Sequence, residues 1–181
     1  MKAAKVPGLD PGGSLRANAA RIVATRLDEL RSLAEEATSA ADASAAQHDM
    51  RIAAKRMRYV LEVTGPCFGE EATRARTAAK HLQTVLGDIH DCDVMLPRVA
   101  AQIERLRAED VSTVLRGGGE ESDLDPSLVR EAPHRAAYRG LELLTVHLEA
   151  RRALLYERFL ELWRGHVDRG TWSALDRRGG G

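Results

Sequence analysis

Aromatic residues are scarce in this chain of 181 residues: two tryptophans, three tyrosines and two phenylalanines make up 4% of it. Such a composition does not favour a surface on which successive nucleic-acid bases stack. The formal net charge is zero, with 27 basic and 27 acidic residues, so the molecule as a whole does not attract polyanions. Any anion site must therefore come from a local cluster of basic side chains.

Cysteine and long apolar runs are almost absent as well. The two cysteines, Cys67 and Cys92, show no pairing pattern, which is typical of small buried side chains in a reducing compartment. Lys2 and Lys5 are followed by no apolar run, so we expect neither a signal peptide nor a membrane-spanning helix. We therefore predict a cytoplasmic protein with no membrane partner.

The residues that are present favour helices. Ala, Leu, Arg and Glu dominate, and the periodic segments are longer than strands usually are. We predict an all-α fold, an antiparallel bundle of about four long helices within residues 14–167. Ser14 is a suitable N-cap for the first helix, and Pro97 is expected to kink or break the third. The four helices are expected at about 14–36, 43–64, 70–107 and 133–167.

Glycine and proline mark the segments outside these helices. Residues 1–13 are predicted to be a flexible arm, either disordered or loosely docked. Residues 116–127 combine glycines with acidic side chains and are predicted to be a flexible linker within the domain. The tail, 168–181, has only Trp172 and Leu175 with which to dock.

Positive charge is concentrated on one face of the second predicted helix, in the segment 48–59. At about 100° per residue, the basic side chains fall within an arc of roughly 80°; they are His48, Arg51, Lys55 and Arg58. The opposite side is apolar, formed by Met50, Ala53, Met57, Val60 and Leu61. A row of charges about 5 Å apart suits a linear polyanion better than a single phosphate. The alternative interpretation is a helix face that is simply solvated.

Arg26 is the unusual residue of the first helix, because it lies near the middle of the apolar stripe. An unpaired buried guanidinium would be costly. We therefore expect Arg26 either to reach an anion site or to pair with a carboxylate from a later helix. The carboxylates considered are Glu62, Asp91 and Asp93.

Two sequence blocks together resemble the conserved histidine α-helical domain (CHAD) family. The first runs from His48 to Tyr59 as His-Asp-x-Arg-x-Ala-x-Lys-Arg-x-Arg-Tyr. The second runs from Lys80 to Asp91 as Lys-x-Leu-Gln-x-x-Leu-Gly-x-x-His-Asp. The pair of blocks is far more specific than either alone. Weaker resemblance covers roughly residues 14–167, including the segments 21–30 and 156–163.

The resemblance implies a helical domain that binds inorganic polyphosphate through a basic surface. It implies no catalysis and no cofactor, and in the cytoplasm such a protein would associate with polyphosphate granules. Carried over by position, the binding residues would be His48, Arg51, Lys55, Arg56 and Arg58 from the first helix and Lys80 from the second. The supporting residues that orient them would be Tyr59, Gln83, His90 and Asp91.

The chain departs from the family because the two-block motif occurs only once, whereas typical members have two related halves. The last helix places His147, Arg151, Leu154 and Arg158 on one line. Arg151 and Arg158 could be a degenerate second basic face, or arginines that extend from an apolar stripe into water. Either the basic face is open on a monomer, or a second copy of the chain supplies the missing half as a homodimer.

Two other functions are considered. His48-Asp49 and His90-Asp91 are similar to the His-Asp pairs of metal-dependent phosphohydrolases, and Cys92 adds a further ligand type. Four cations surround His48, however, and would repel a divalent metal, so we predict neither a metal site nor an enzyme. Nucleic acid also carries phosphates, but the basic faces have no aromatic residue other than Tyr59 on which a base could stack.

Overall fold

The computed structural model describes residues 2–118 and 123–175 of the chain. Within these ranges the regular structure consists of five α-helices and two 3-10 helices, and contains no strand. The α-helices are α1 (Leu15–Ser32), α2 (Ala34–Ser39), α3 (Ser44–Thr64), α4 (Glu70–Gly117) and α5 (Arg135–Asp168), and the 3-10 helices are Gly65–Cys67 and Pro126–Glu131. The all-α prediction is therefore confirmed.

The first helix begins as predicted and ends earlier. The Ser14 hydroxyl accepts a hydrogen bond from the Ala17 backbone N–H at 3.1 Å, which satisfies one of the free donors at the start of α1. A break at Leu33 separates α1 from the short α2. The turn that follows α2 is held by the buried side chain of Gln47, whose Nε2 donates to the carbonyls of Ala40 and Ala41 at 3.1 Å each.

The chain divides into two compact units, and the first combines Met1–His90 with Ala153–Gly181. In this unit α3 and α4 run antiparallel, because His48 contacts His90 while Arg58 contacts Gln83. The large buried side chains come from α1, α3, α4 and α5 and from the turn after α3. They are Leu27, Leu30, Met50, Met57, Leu61, Phe68, Leu82, Leu86 and Phe159.

The second unit, Asp91–Arg152, contains the later part of α4 and the earlier part of α5. Its two helical segments are also antiparallel, since Asp93 contacts Arg152 at one end and Asp110 contacts Tyr138 at the other. The Tyr138 hydroxyl donates to the buried Asp110 carboxylate at 2.6 Å. This hydrogen bond, with burial and the negative charge of Asp110, raises the pKa of Tyr138 to about 12.

Two predictions about where helices end need correction. Pro97 does not interrupt α4, which continues through it as a single helix, because buried residues on either side of the proline, Cys92 and Val99, hold the helix in place. The predicted linker 116–127 starts inside α4, which ends at Gly117. It also includes the start of the 3-10 helix Pro126–Glu131, and its residues 119–122 lie outside the described part of the chain.

The arm and the tail are both docked where they are described. Asp10 and Asn18 exchange two hydrogen bonds, of 2.9 and 2.7 Å, which attach the arm to α1. After α5, Gly170 takes a left-handed φ of 61°, and the Thr171 N–H bonds back to the helix, as in a glycine-terminated helix end. Trp172 and Leu175, the two tail residues able to dock, are buried, and residues 176–181 lie outside the described part of the chain.

In the two described ranges, no helix has the length and apolar character that crossing a membrane requires.

Candidate anion-binding site

Helix α3 has the two faces that its sequence predicts. Its apolar side is buried, with Met50, Ala53, Met57 and Leu61 at most 2% exposed. On the other side Lys55 is exposed, while Arg51 and Arg58 are half-buried. The apolar side packs against the other helices of the first unit. This packing fixes the direction of the basic row formed by His48, Arg51, Lys55 and Arg58.

Three of the cations predicted to bind, two on α3 and one on α4, have no counterion among the described residues. Within residues 2–118 and 123–175, no carboxylate lies at ion-pair distance from Arg51, Lys55 or Lys80. The Arg51 Nε is buried and also has no hydrogen-bond partner there. A positively charged surface without neutralising carboxylates is what a polyanion would require.

Gly87 of α4 makes room for Arg51. A Cβ atom added at Gly87 would lie 3.8 Å from the Arg51 Cδ, so the stem of this arginine lies within van der Waals reach of the place where a side chain at position 87 would begin. The glycine weakens α4 locally, but the missing side chain leaves the stem of Arg51 a place between the two helices.

Arg58 is oriented by three neighbours. Its Nε donates to the Gln83 side-chain oxygen at 3.0 Å, and its Nη1 donates to the Glu62 carboxylate at 2.7 Å. Its guanidinium carbon also lies 4.3 Å from the centre of the Tyr59 ring, a distance at which a cation is attracted to an aromatic face. The contacts of Tyr59 and Gln83 are those of residues that hold a guanidinium in place.

His48 and His90 meet where α3 and α4 pass each other. Their Nδ1 atoms are 3.3 Å apart and their ring centres 4.6 Å apart. Burial is the largest cause of a lowered pKa at His48, and the nearby His90 and Arg51 lower it further, against a smaller opposite effect of Asp49. In a hydrogen bond between the two rings, one Nδ1–H donates and the other Nδ1, which carries no proton, accepts. At least one of the two histidines is therefore neutral when this contact forms.

Arg26 is paired, but with none of the three carboxylates expected from the sequence. Its Nη1 lies 2.5 Å from Glu29 Oε2, and its Nη2 donates to the Ala4 carbonyl at 2.6 Å. Glu29 also accepts a hydrogen bond from the Ala4 backbone N–H, and its other oxygen lies 3.9 Å from Arg56 Nη1. The partner is thus one turn away on the same helix, at a spacing that brings side chains together.

The remaining predicted residues are divided between the two units. Arg158 is exposed on the part of α5 that belongs to the first unit. Asp91 and Arg151 belong to the second unit, where Asp91 is exposed. Arg151 is half-buried there, and its Nη1 contacts the Cys92 sulfur at 3.4 Å. Cys67 and Cys92 are both free thiols.

The ligand types of a metal site do not come together in the part of the chain that the structure covers. No group of three or more His, Cys, Asp and Glu side chains is placed there to hold a metal ion.

One of the comparisons with known proteins finds a family. The model of the CHAD domain matches residues 2–100, which is more than half of the chain and includes both sequence blocks. The chain belongs to the CHAD family. Neither the curated proteins nor the solved structures include a match. The matched CHAD span contains the N-terminal arm and ends before residues 156–163, so the weaker resemblance of that segment stays a prediction.

Sequence reasoning missed two parts of the site. It did not identify Glu29, although the spacing of three residues from Arg26 was a usable signal. It also treated Gly87 only as a weak point in a helix, because nothing in the sequence says which residue of another helix lies opposite it. Both omissions concern side chains that position the basic residues.

Proposed function

We propose that this CHAD protein binds inorganic polyphosphate through the basic surface of α3 and α4 and does not itself catalyse a reaction. The observation that carries the proposal is the set of cations without counterions, Arg51, Lys55 and Lys80, beside a guanidinium held by Gln83 and Tyr59. The CHAD domain is in general associated with polyphosphate binding. The nine residues proposed to take part in binding, either directly or by holding other parts of the site, are His48, Arg51, Lys55, Arg56, Arg58, Lys80, Arg26, Arg151 and Arg158.

We expect the members of this set to contribute unequally. Arg51, Lys55 and Lys80 offer charge that no carboxylate of the described residues offsets. Arg58 and Arg26 already have carboxylate neighbours, at 2.7 and 2.5 Å, so a phosphate would have to compete with Glu62 or Glu29. We therefore expect the first three to contribute more to affinity than Arg26 or Arg58.

The test is a titration of the full chain with polyphosphate at several salt concentrations. Affinity should fall as salt rises, because cations that neutralise a polyanion release its counterions. Orthophosphate should compete poorly, since it can meet only part of the row. Loss of all binding at low salt, by a protein that is still folded, would contradict the proposal.

Replacing Arg51 and Lys55 together with alanine should weaken binding by more than about tenfold. Helicity should be unchanged, because neither side chain has an ion pair in the described structure. Arg16→Ala/Arg164→Ala is the matched control, because it removes the same charge from exposed positions of α1 and α5 in the same unit. The same titration with duplex DNA and single-stranded RNA tests the alternative of nucleic-acid binding. A phosphatase assay with added divalent metal tests the alternative of a metal-dependent phosphohydrolase.

A further inference from the structure

The N-terminal arm is attached along α1 at two places. Near its end, Asp10 and Asn18 exchange a pair of hydrogen bonds. Near its start, the Ala4 N–H donates to Glu29 and the Ala4 carbonyl accepts from Arg26. Positions 10 and 4 of the arm thus lie beside positions 18 and 26–29 of the helix, so the two run antiparallel. We call residues 2–13 the N-terminal strap.

The strap lies on the side of the basic row that faces away from α4. About the axis of α3, Arg51 lies about 60° to one side of His48 and Arg56 about 80° to the other. Arg51 is on the α4 side, where it passes over Gly87. Arg56 is on the α1 side, where it lies 3.9 Å from the same Glu29 that binds Ala4. The row of cations therefore runs between α4 and the strap.

The strap brings two further positive charges to this side. Lys2 and Lys5 are both exposed, and no carboxylate of the described residues pairs with either. Lys2 is two residues from Ala4, so the two Cα atoms are at most about 8 Å apart. Lys5 is the next residue, and its Cα lies about 4 Å from the Ala4 Cα. The Ala4 hydrogen bonds thus keep both lysines in the neighbourhood of Glu29 and Arg56, on the α1 side of α3.

We propose that the strap forms the second wall of the polyanion site and that Lys2 and Lys5 bind the polymer from it. The inference rests on the proposed polyphosphate binding and adds two ligands to it. In this arrangement Arg26 and Glu29 hold the strap, and Arg26 acts on the polymer through the strap rather than as a ligand. The competing explanation is that both lysines only solvate an exposed segment.

The test compares Lys2→Gln/Lys5→Gln with the wild-type chain in polyphosphate titrations over a range of salt. We expect affinity to fall by about threefold to tenfold, and the dependence of log K on log salt to become shallower, because fewer counterions are released. The matched control is Arg16→Gln/Arg164→Gln, which removes the same charge from exposed positions of α1 and α5 in the same unit.

A second variant separates position from charge. Ala4→Pro keeps every charge but removes the N–H that Glu29 accepts, so it should weaken binding to a similar extent. Ala3→Pro, one position earlier, is its control. If wild type binds and the lysine variant matches the charge control in affinity and salt dependence, the role of the strap is refuted while polyphosphate binding stands. If wild type itself does not bind, the proposed function fails.

Discussion

Single residues of the basic surface differ in whether a carboxylate already neutralises them. Arg26 and Glu29 form a nearly buried ion pair, and each side chain is 9% exposed. Lys55 and Lys80, in contrast, are exposed and have no counterion among the described residues. Buried pairs are costly to break, because the remaining charge is left desolvated. Residues that look alike in the sequence are therefore expected to respond differently to substitution.

Arg26→Met should lower the free energy of unfolding by about 3 kcal/mol, because it leaves the Glu29 carboxylate without its main partner. Polyphosphate affinity, measured on the folded fraction, should fall only slightly, because the variant removes one of the hydrogen bonds that attach the strap. Denaturant unfolding gives the first quantity and titration the second. In the double variant Arg26→Met/Glu29→Leu both charges are gone, and stability should largely return.

A stable Arg26→Met variant whose binding is severely reduced would instead make Arg26 a direct ligand.

Polyphosphate affinity should rise as pH falls through the window around and below 6.5. The pKa of His48 is lowered from this ordinary value by burial and by His90 and Arg51, with Asp49 acting in the opposite direction. The protonated ring is therefore disfavoured in the free protein, and a bound polyanion would raise the pKa and draw a proton in. Calorimetry in buffers of different ionisation enthalpy measures this proton uptake.

His48→Gln should bind polyphosphate with a weaker dependence on pH than wild type. His134→Gln is the control, because His134 belongs to the second unit and contacts Glu109 there at 2.8 Å. Equal pH profiles for wild type and His48→Gln would show that this histidine takes no part in the linkage.

At the level of secondary structure elements, the site depends on how α3 and α4 pack against each other. Gly87 is the clearest case, because its missing side chain leaves space for the stem of Arg51. A methyl group there would lie at ordinary contact distance, 3.8 Å from the Arg51 Cδ. A longer side chain would occupy the position of the arginine itself.

Gly87→Ala should therefore raise the free energy of unfolding by about 0.5–1 kcal/mol, because alanine loses less backbone entropy in a helix. Its polyphosphate affinity should be unchanged. Gly87→Leu should displace Arg51 and weaken binding by about threefold, with a shallower salt dependence. Thermal unfolding and titration of the two variants check this, and equal affinity of both would show that the position of Arg51 does not matter.

At the level of the whole molecule, the second unit leaves large apolar side chains in water. Val111 and Leu115 of α4 and Leu143 and Val146 of α5 are between 53% and 62% exposed. The sequence also has only one copy of the two-block motif, which a second chain would complete. A symmetric pair would bury the same side chains from both copies.

We predict that the protein self-associates and that polyphosphate strengthens the dimer, because the polymer offsets the repulsion between two basic faces. Without polyphosphate, low salt should weaken the dimer. Sedimentation with polyphosphate chains too short to join separate molecules measures this. Leu143→Gln/Val146→Gln, in the second unit, should lower self-association and leave the fold intact. Tight binding by a species that stays monomeric would disprove the prediction.

The sequence by itself determined the all-α fold and the direction of the basic face. The 3.6-residue period of α3 placed Met50 and Met57 on one side and Lys55 on the other, and both sides are as predicted, because burial of one apolar stripe fixes the rotation of a helix. Ser14 and Trp172 were also identified correctly, since a cap and a large docked ring leave local signals.

Only the tertiary structure decided which cations are neutralised and what lies beside them. Glu29 was within reach of sequence reasoning, since it is three residues from Arg26 on the same helix, but the hydrogen bond from Arg26 to the Ala4 carbonyl depends on how the strap docks. The contact of Gly87 with Arg51 and that of His48 with His90 join residues 36 and 42 positions apart. Such contacts depend on how two helices pass each other, and periodicity within one helix carries no information about that.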